Sequence, residues 1–263
     1  MACITLLTDF GLEDGNVGVM KGVILGIAPD VTIIDLSHEI PPQDILSASF
    51  VLDRGATYFP EGTVHVVVVD PGVGTKRRAI AGRLGAYWFV GPDNGVITRL
   101  LERAERESWS TEFVHLDEPR YWLPEVSDVF HGRDIFAPVA AHLTEGVELQ
   151  SMGIEITDVV RLPFPEPRRE GHTMIGEVIY IDHFGNVTTN LRQSDLEGRR
   201  VLEVSVCDSR IPGLVRTFGE QSPGTVVALF SSTGDLILSV VNGNAADRLS
   251  CEVGEEVVVL MDN

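Results

Sequence analysis

Carboxylates stand at the ends of apolar, strand-like runs in the first half of the chain. Asp9 follows the run 4–7, and Asp70 follows the almost wholly β-branched run 64–69. Asp35 lies within a third such run. A carboxylate beside a buried strand is costly unless it is paired or hydrogen-bonded, and ligands of open α/β sheets bind beyond the carboxyl ends of the strands. Ligand binding or proton transfer is one interpretation of these side chains; turn capping is the other.

The segment after Asp70 is rich in glycine and ends in two arginines, Arg77 and Arg78. Glycines allow a sharp turn or a close approach of the backbone to a ligand. Either arginine can return to pair with Asp70. The segment lacks the GxxxxGK[ST] spacing of a phosphate loop, and no GxGxxG opens the first helix, so dinucleotide binding is only weakly supported.

His131 lies in the sequence Phe-His-Gly-Arg-Asp, just before a predicted helix. Gly132 relieves crowding beside the ring, and Asp134 suits a helix start. His131 is a candidate proton carrier, although a lone loop histidine is more often a surface or capping group. The histidines show no metal-ligand spacing, so we expect no bound metal.

The segment 182–186 supplies a carboxylate, an aromatic ring and an amide within five residues. Those groups suit a planar heterocycle that bears an amino group. The alternative is a polar hairpin turn, with Gly185 and Asn186 at positive φ. The segments 231–235 and 242–246 also favour turns, with ligand contacts only by association.

Alternating strand and helix signals surround these residues in the first half of the chain. Strands are predicted at 4–7, 31–36, 64–69 and 87–90, and helices over 17–27 and 44–52, from 96–101 onwards and over 135–143. This order favours a parallel sheet with helices on both faces, an α/β fold.

Three prolines between Leu162 and Pro167 predict a linker, because proline fits neither a helix interior nor a central strand. Short strands separated by polar turns follow at 176–182, 201–206, 225–230, 236–241 and 256–260. That spacing is typical of a small antiparallel β-barrel or sandwich. We therefore expect an N-terminal α/β domain over 1–162, a linker over 163–171 and a C-terminal β domain over 172–263.

Composition excludes several classes of protein. The chain has 263 residues with 39 acidic and 20 basic side chains, a net charge of −19, which disfavours binding to nucleic acid. Its three cysteines form no CxxC pair, so neither a disulfide framework nor a thiolate metal site is supported. No apolar run approaches the ~20 residues of a membrane span. We expect a soluble, cytoplasmic protein with no membrane partner.

Six segments, taken together and in order, resemble one known family. They are 8–11, 69–74, 77–78, 91–95, 130–134 and 182–186. The chain resembles, nearly end to end, the S-adenosyl-L-methionine (SAM) hydrolases that form adenosine. These are the SAM hydroxide adenosyltransferases, once called domain of unknown function 62, and they are similar to the fluorinase and chlorinase enzymes.

The resemblance implies attack of water or hydroxide on the ribose C5′ of SAM, which releases L-methionine and adenosine. SAM is then the substrate, and no cofactor is implied. The family's catalytic residues fall on Asp70, Arg77 and His131, and its ribose-binding aspartate falls on Asp9. Its remaining substrate contacts fall on Asp182, Phe184, Asn186 and Ser232, and on Asn244 and Ala245. The resemblance also implies a homotrimer, with SAM bound between the first domain of one subunit and the second domain of its neighbour.

Two alternatives remain open at this stage, a SAM-dependent 5′-halogenase of the same superfamily and a SAM- or adenosine-binding protein without turnover. The halide enzymes carry a hydroxyl residue where this chain has Gly132, and they lack a carboxylate at the position of Asp70. Either Asp70 or His131 can accept the proton from water. Arg77 stays protonated, so we expect it to hold Asp70 or to stabilise hydroxide.

Overall fold

The computed structural model describes residues 2–262. The chain divides into two compact units, Met1–Leu162 and Pro163–Asn263. The division falls at the start of the proline-rich segment.

The first unit alternates strands and helices in its first half. Its strands are β1 (Cys3–Thr8), β2 (Thr32–Ser37), β3 (Val64–Val68), β4 (Ala79–Leu84), β5 (Tyr87–Pro92), β6 (Thr111–Leu116) and β7 (Gly153–Ile156). Its helices are α1 (Asn16–Ile27), α2 (Ile45–Ala56), α3 (Thr98–Arg106) and α4 (Ala137–Thr144). Asp44 caps α2 by accepting a hydrogen bond from the Ser47 amide at 2.9 Å.

The seven strands form one sheet in the order β2-β1-β3-β5-β4-β6-β7. Strands β2, β1, β3 and β5 are parallel, whereas β4, β6 and β7 pair antiparallel with their neighbours. The α/β class is confirmed, but the sheet is mixed where the sequence pattern predicted a parallel one. The physical reason is the two-residue connection between β4 and β5, which is long enough only for a hairpin.

Two apolar cores cover the two faces of this sheet. Val64 and Val66 of β3 pack with α1 and α4 on one face. Val67, on the same strand, packs with α2 and α3 on the other face. A strand that is covered on both faces has apolar residues at successive positions, and this continuous apolar run is why β3 could be predicted from the sequence.

The second unit is built almost wholly of antiparallel strands. They are β8 (Arg168–Glu170), β9 (Thr173–Ile181), β10 (Val187–Arg192), β11 (Val201–Val206), β12 (Ser209–Pro212), β13 (Val226–Phe230), β14 (Asp235–Val240) and β15 (Glu256–Met261), with one short helix, α5 (Ala245–Leu249). Seven of them follow the order β12-β11-β15-β9-β10-β14-β13, and β8 pairs with β9. The two end strands, β12 and β13, come near one another. The sheet is thus a nearly closed barrel, one of the two arrangements that the strand spacing predicted.

One feature differs from the sequence expectations in detail. Strand β8 lies inside the segment 163–171, so the predicted linker contains a short paired strand. Cys207 and Cys251 are both free cysteines, and burial, together with the neighbouring Cys207, raises the pKa of Cys251 to about 12. Among the described residues, no helix is both long and apolar enough to cross a membrane.

Candidate active site

A cavity of about 380 Å³ opens in the first unit beyond the carboxyl ends of β1 and β3. Its wall consists of Asp9, Phe10, Pro42, Gln43, Val68, Asp70, Pro71, Val73, Val129, Phe130, His131 and Gly132. Three of the candidates from sequence, Asp9, Asp70 and His131, therefore meet at one cavity. Its position agrees with the rule that ligands of α/β sheets bind at the carboxyl edge.

Asp70 and Arg77 form a two-pronged ion pair beside this cavity. Asp70 lies just beyond β3, and Arg77 lies shortly before β4. Arg77 Nε donates to Asp70 Oδ1 at 3.0 Å, and Arg77 Nη2 donates to Oδ2. Both side chains are buried, with 4% of Asp70 and 7% of Arg77 exposed. Paired donors and acceptors of this kind fix the orientation of both groups as well as their charge.

The environment of Asp70 favours proton uptake. Burial raises the pKa of its carboxyl group above the ordinary value. The charge and hydrogen bonds of Arg77 oppose that rise, and His131 and the Gly72 amide oppose it further. The rise prevails, so Asp70 is a stronger base than an exposed aspartate while remaining next to a fixed cation.

His131 is linked to the same arginine. Arg77 Nη2 lies 3.1 Å from His131 Nδ1. A guanidinium can only donate, so Nδ1 accepts this bond, and the proton of the neutral ring lies on Nε2. Burial and the charge of Arg77 both lower the pKa of His131, which favours this neutral form. Arg77 thus bonds to Asp70 and to His131 at once, although it is not part of the cavity wall.

A π-helical turn, Gly132–Phe136, follows His131 and leads into α4. Asp134 lies inside this turn and is fully buried. Its carboxylate accepts bonds from the Ser127 amide at 2.8 Å and from Arg133 Nε at 2.5 Å. The expectation that Asp134 starts the helix is therefore wrong, because the helical turn already begins at Gly132. Asp134 instead anchors the segment that leads to His131, and π-turns of this kind occur often at functional sites.

Asp9 lies in the loop that follows β1. Its Oδ2 accepts a hydrogen bond from the Gln43 amide at 2.7 Å. Within residues 2–262 no partner is found for its Oδ1. A carboxylate with one oxygen anchored and the other available is suited to a ligand hydroxyl.

The loop that carries Asp9 is supported by His38, which sequence reasoning missed. His38 is buried, and its Nδ1 lies 2.9 Å from the Thr8 hydroxyl. The carbonyl oxygen of His38 accepts a bond from the Gly11 amide at 2.9 Å. Asp35 lies 3.0 Å from His38 Nε2 and pairs with Lys21 at 2.6 Å. Asp35, the third candidate carboxylate, thus supports this loop and is not in the cavity wall.

In the second unit, the Asp182 carboxylate organises its own hairpin. Asp182 Oδ1 accepts bonds from the amides of Phe184 and Asn186, each at 2.9 Å. Its Oδ2 accepts from Asn186 Nδ2, also at 2.9 Å. Gly185 has a φ of 79°, as the turn interpretation predicted. Asn186 does not have a positive φ, so that part of the prediction is wrong; its carbonyl oxygen instead accepts a bond from the Asp182 amide at the start of the strand pairing. The ring of Phe184 is 74% exposed and free to stack on a ligand.

The loop with Asn244 and Ala245 meets this hairpin. The Gly185 carbonyl oxygen accepts bonds from the amides of Ala245 and Ala246 at 3.1 and 3.0 Å. A Cβ atom at Gly185 would come within 2.0 Å of Asn244 Oδ1, so the two loops fit closely. Ala245 is fully buried, so its side chain belongs to this contact and not to an exposed surface.

Ser232 lies apart from those five residues. It is exposed in the turn between β13 and β14. Strand β10 begins at the hairpin of Asp182 and ends beside Asp235, at the start of β14. The turn of Ser232 is therefore at the opposite end of β10, on the order of 15 Å along the strand. The structure thus joins five of the six second-unit candidates and separates Ser232. Across residues 2–262 there is no group of three or more His, Cys, Asp or Glu side chains that could hold a metal ion.

A buried aspartate–arginine pair, linked to a half-buried histidine at the carboxyl edge of an α/β sheet, precedes a β-barrel unit in the chain. These features define a two-domain enzyme of the α/β class. Family profiles described as the SAM hydroxide adenosyltransferase N-terminal and C-terminal domains match residues 4–153 and 176–258. The chain belongs to the SAM hydroxide adenosyltransferase family.

Relatives of known name are similar over nearly the whole chain. A protein named (R)-S-adenosyl-L-methionine hydrolase from Salinispora tropica is 42% identical, over 97% of each chain. One of the same name from Thermus thermophilus is 40% identical, over 99% of this chain and 100% of that one. A fluorinase from Nocardia brasiliensis is 30% identical, over 97% and 96%. A solved structure of an uncharacterized conserved protein from Thermotoga maritima matches with a TM-score of 0.88 at 38% identity, covering 98% and 99% of the two chains.

Proposed function

We propose that this chain is an S-adenosyl-L-methionine hydrolase, in which water or hydroxide attacks the ribose C5′ and yields adenosine and L-methionine. The observation that carries the proposal is the linked set of Asp70, Arg77 and His131 at a cavity that also contains Asp9. The two hydrolases named above act, by their names, on the (R) epimer of S-adenosyl-L-methionine. We propose the same epimer as the substrate here.

The demands of this reaction fit the three linked side chains. The leaving group is a neutral thioether that departs from a sulfonium, so no acid has to protonate it. The reaction needs a nucleophile that is aligned behind C5′ and partly deprotonated. SAM is the substrate, and the proposed reaction uses no further cofactor or metal.

Asp70 is the proposed proton acceptor. Its two oxygens accept two bonds from Arg77 and one from the Gly72 amide, which leaves one acceptor position for water. His131 cannot take a proton at Nε2, because that atom already carries the proton of the neutral ring. His131 instead donates a hydrogen bond from Nε2 to the attacking oxygen. Arg77 holds both groups in place and balances the charge of Asp70.

The proposed substrate contacts lie in both units. Asp9 accepts bonds from the ribose hydroxyls, as acidic residues do in other nucleoside sites. In the second unit, Asp182 shapes the hairpin, Phe184 stacks on the adenine, and Asn186 bonds to it. Asn244 and Ala245 border this hairpin, and Ser232 is the remaining candidate contact.

The test of function is incubation with SAM in ¹⁸O-labelled water, with the (R) and (S) epimers supplied separately. Label at the 5′-hydroxyl of adenosine, formed faster from the (R) epimer, supports the proposal. Intact SAM after long incubation with a folded protein that still binds SAM would favour a binding protein without turnover.

A second candidate is 5′-halogenation, because the chain is also 30% identical to a fluorinase. Gly132 offers no hydroxyl to a halide ion. The charge of Asp70 repels chloride, by about 4 kcal/mol at ~4 Å and an effective dielectric near 20, and Arg77 lessens this repulsion. In high chloride or fluoride we expect adenosine, whereas 5′-halo-5′-deoxyadenosine as the main product would overturn the hydrolase assignment.

We also propose a cytoplasmic homotrimer whose active sites are shared between subunits. Free cysteines fit a reducing compartment. Sharing is tested by mixing inactive Asp70→Asn subunits with inactive Asn186→Ala subunits. Recovery of activity supports a shared site, and no recovery despite proven subunit exchange contradicts it.

A further inference from the structure

The loop Asp93–Gly95 follows β5 and takes no part in the cavity wall, yet it contacts the backbone on both sides of the Asp70–Arg77 pair. The 91–95 motif is one of the segments that carry the family resemblance, and none of its residues lines the cavity. We propose that Asn94 and Asp93 are positioning residues that fix the geometry of Asp70 and Arg77 from behind. This inference rests on the proposed function, since it concerns the same catalytic pair.

Asn94 holds the residue that precedes Asp70. Its Nδ2 donates to the carbonyl oxygen of Val69 at 2.9 Å, and its Oδ1 accepts from the Val96 amide at 3.2 Å. Val69 is fully buried and lies one residue beyond the end of β3. The Asn94 amide therefore continues the support of the strand by one residue, up to the catalytic carboxylate.

Asp93 holds the residue that follows Arg77. Its buried carboxylate accepts from Arg78 Nε at 2.8 Å, and its amide donates to the carbonyl oxygen of Arg78 at 2.9 Å. The same carboxylate accepts from the Val160 amide at 2.8 Å. Side chain and backbone of Arg78 are thus both fixed, which fixes the adjacent backbone of Arg77.

The intervening segment, residues 71–76, is largely exposed and is stabilised by its own turn hydrogen bonds. The Asp70–Arg77 contact therefore depends on the positions of the backbone at the two ends of this segment. One three-residue loop places both ends, so a small movement of that loop changes the distance between the carboxylate and the guanidinium. A misplacement of about 1 Å can lower a reaction rate by about a hundredfold.

The test compares Asn94→Asp with Asn190→Asp as a matched control. Asn190 lies in the second unit and makes the same kinds of bond: its Nδ2 donates to the Pro165 carbonyl oxygen at 2.7 Å, and its Oδ1 accepts from the Glu177 amide at 2.7 Å. Each substitution replaces an N–H donor with an oxygen that faces a carbonyl oxygen. We expect both variants to melt at lower temperature than the wild type.

Only the Asn94 variant should change the chemistry. We expect its kcat to fall about tenfold or more while KM changes less than about threefold. Because Arg77 lowers the pKa of Asp70, a looser pair raises that pKa. The acid limb of the kcat profile should therefore move up by about 0.5 pH unit or more. If Asn94→Asp does not fold, Asp93→Asn carries the same expectation, because it keeps an acceptor for Val160 and weakens the hold on Arg78.

A readout independent of turnover separates this inference from the proposed function. Carbon-13 NMR of the Asp70 carboxyl group, titrated in the wild type and both variants, should show a higher pKa in the Asn94 variant alone. Wild-type kcat, pH profile and Asp70 titration in that variant would overturn the positioning role, as would equal changes in the Asn190 control. Absence of SAM hydrolysis by the wild type would refute the proposed function and leave the NMR comparison to decide the positioning role.

Discussion

The buried imidazole of His65 makes the free energy of unfolding depend on pH. His65 lies on β3 with no exposed surface, its Nδ1 is 2.7 Å from the Thr5 hydroxyl, and the rings of Phe59 and Tyr87 pack against it. Burial lowers its pKa from 6.5 to about 4. Between these two pH values the unfolded chain binds a proton that the folded chain does not. The stabilisation is therefore complete above pH 6.5 and is lost as the pH falls towards 4.

The size of this effect follows from the two pKa values. A pKa lowered from 6.5 to about 4 corresponds to about 3 kcal/mol of unfolding free energy lost over that pH range. Few domains have more than about 15 kcal/mol in total, so the loss is a substantial share. His65→Asn removes the titration and keeps a polar partner for Thr5. We expect it to be less stable than the wild type at pH 7 but to lose about 3 kcal/mol less on acidification.

The assay is urea denaturation at a series of pH values between 4 and 7.5, on the wild type, His65→Asn and the control His172→Asn. His172 is exposed, so its variant should follow the wild-type pH dependence. Subtracting the curves removes the contributions of the other titrating groups, which all three proteins share. Parallel wild-type and His65→Asn curves would refute the reasoning, since they would show that burial of His65 does not oppose its protonation.

Three further predictions concern the active site. Asp70→Asn keeps the shape of the side chain but not its basicity, so kcat should fall about a hundredfold or more, measured as adenosine released from SAM; near-normal turnover would exclude Asp70 as the base. His131→Gln places an amide N–H near the position of Nε2, whereas His131→Asn places it near the position of Nδ1. The glutamine variant should therefore retain more activity than the asparagine variant. The reverse order of kcat in steady-state kinetics would contradict the donor role of His131. Gly132→Ser puts a Cβ atom 3.1 Å from Val68 Cγ1. We therefore expect a melting temperature lower by a few degrees, which corresponds to a loss of about 1 kcal/mol of unfolding free energy. Product analysis of this variant in high chloride shows whether a hydroxyl at this position alone permits halogenation.

The parts of the fold that the sequence revealed are those whose signal is local. Strand β3 is a continuous apolar run because helices cover both of its faces. Strand β4 escaped detection because Arg83 and Gly82 interrupt its pattern. A Cβ atom at Gly82 would come within 2.1 Å of the Phe113 ring. Glycine is therefore required at this position by the packing of a residue 31 positions away. Pairing partners of this kind cannot be inferred from the strand's own residues.

The residues of the candidate site also differ in whether their signal is local in the sequence. Asp70 and His131 were identified because both lie in recognisable motifs at element ends. The residues alone left the choice between Arg77 and Arg78 open, since both follow the same loop, and only the family resemblance indicated Arg77. In the structure the two side chains point in opposite directions, as successive side chains of an extended backbone do. Arg77 bonds to Asp70, whereas Arg78 bonds to Asp93. His38 went unnoticed because its partner Thr8 lies 30 positions away and no motif links them.

The self-contained hairpin of Asp182 has a consequence for the speed of association. Its backbone is held by a carboxylate within the hairpin and by the adjoining helix α5 before any ligand arrives. If the proposed substrate contacts are correct, ligand binding at the hairpin does not require a loop to become ordered, which would cost about 1–2 kcal/mol per backbone residue. Only the exposed ring of Phe184 has to settle, at about 0.5–1.5 kcal/mol. Association rates at this surface should therefore be limited by diffusion and orientation. Differences in affinity between ligands should arise mainly from their dissociation rates.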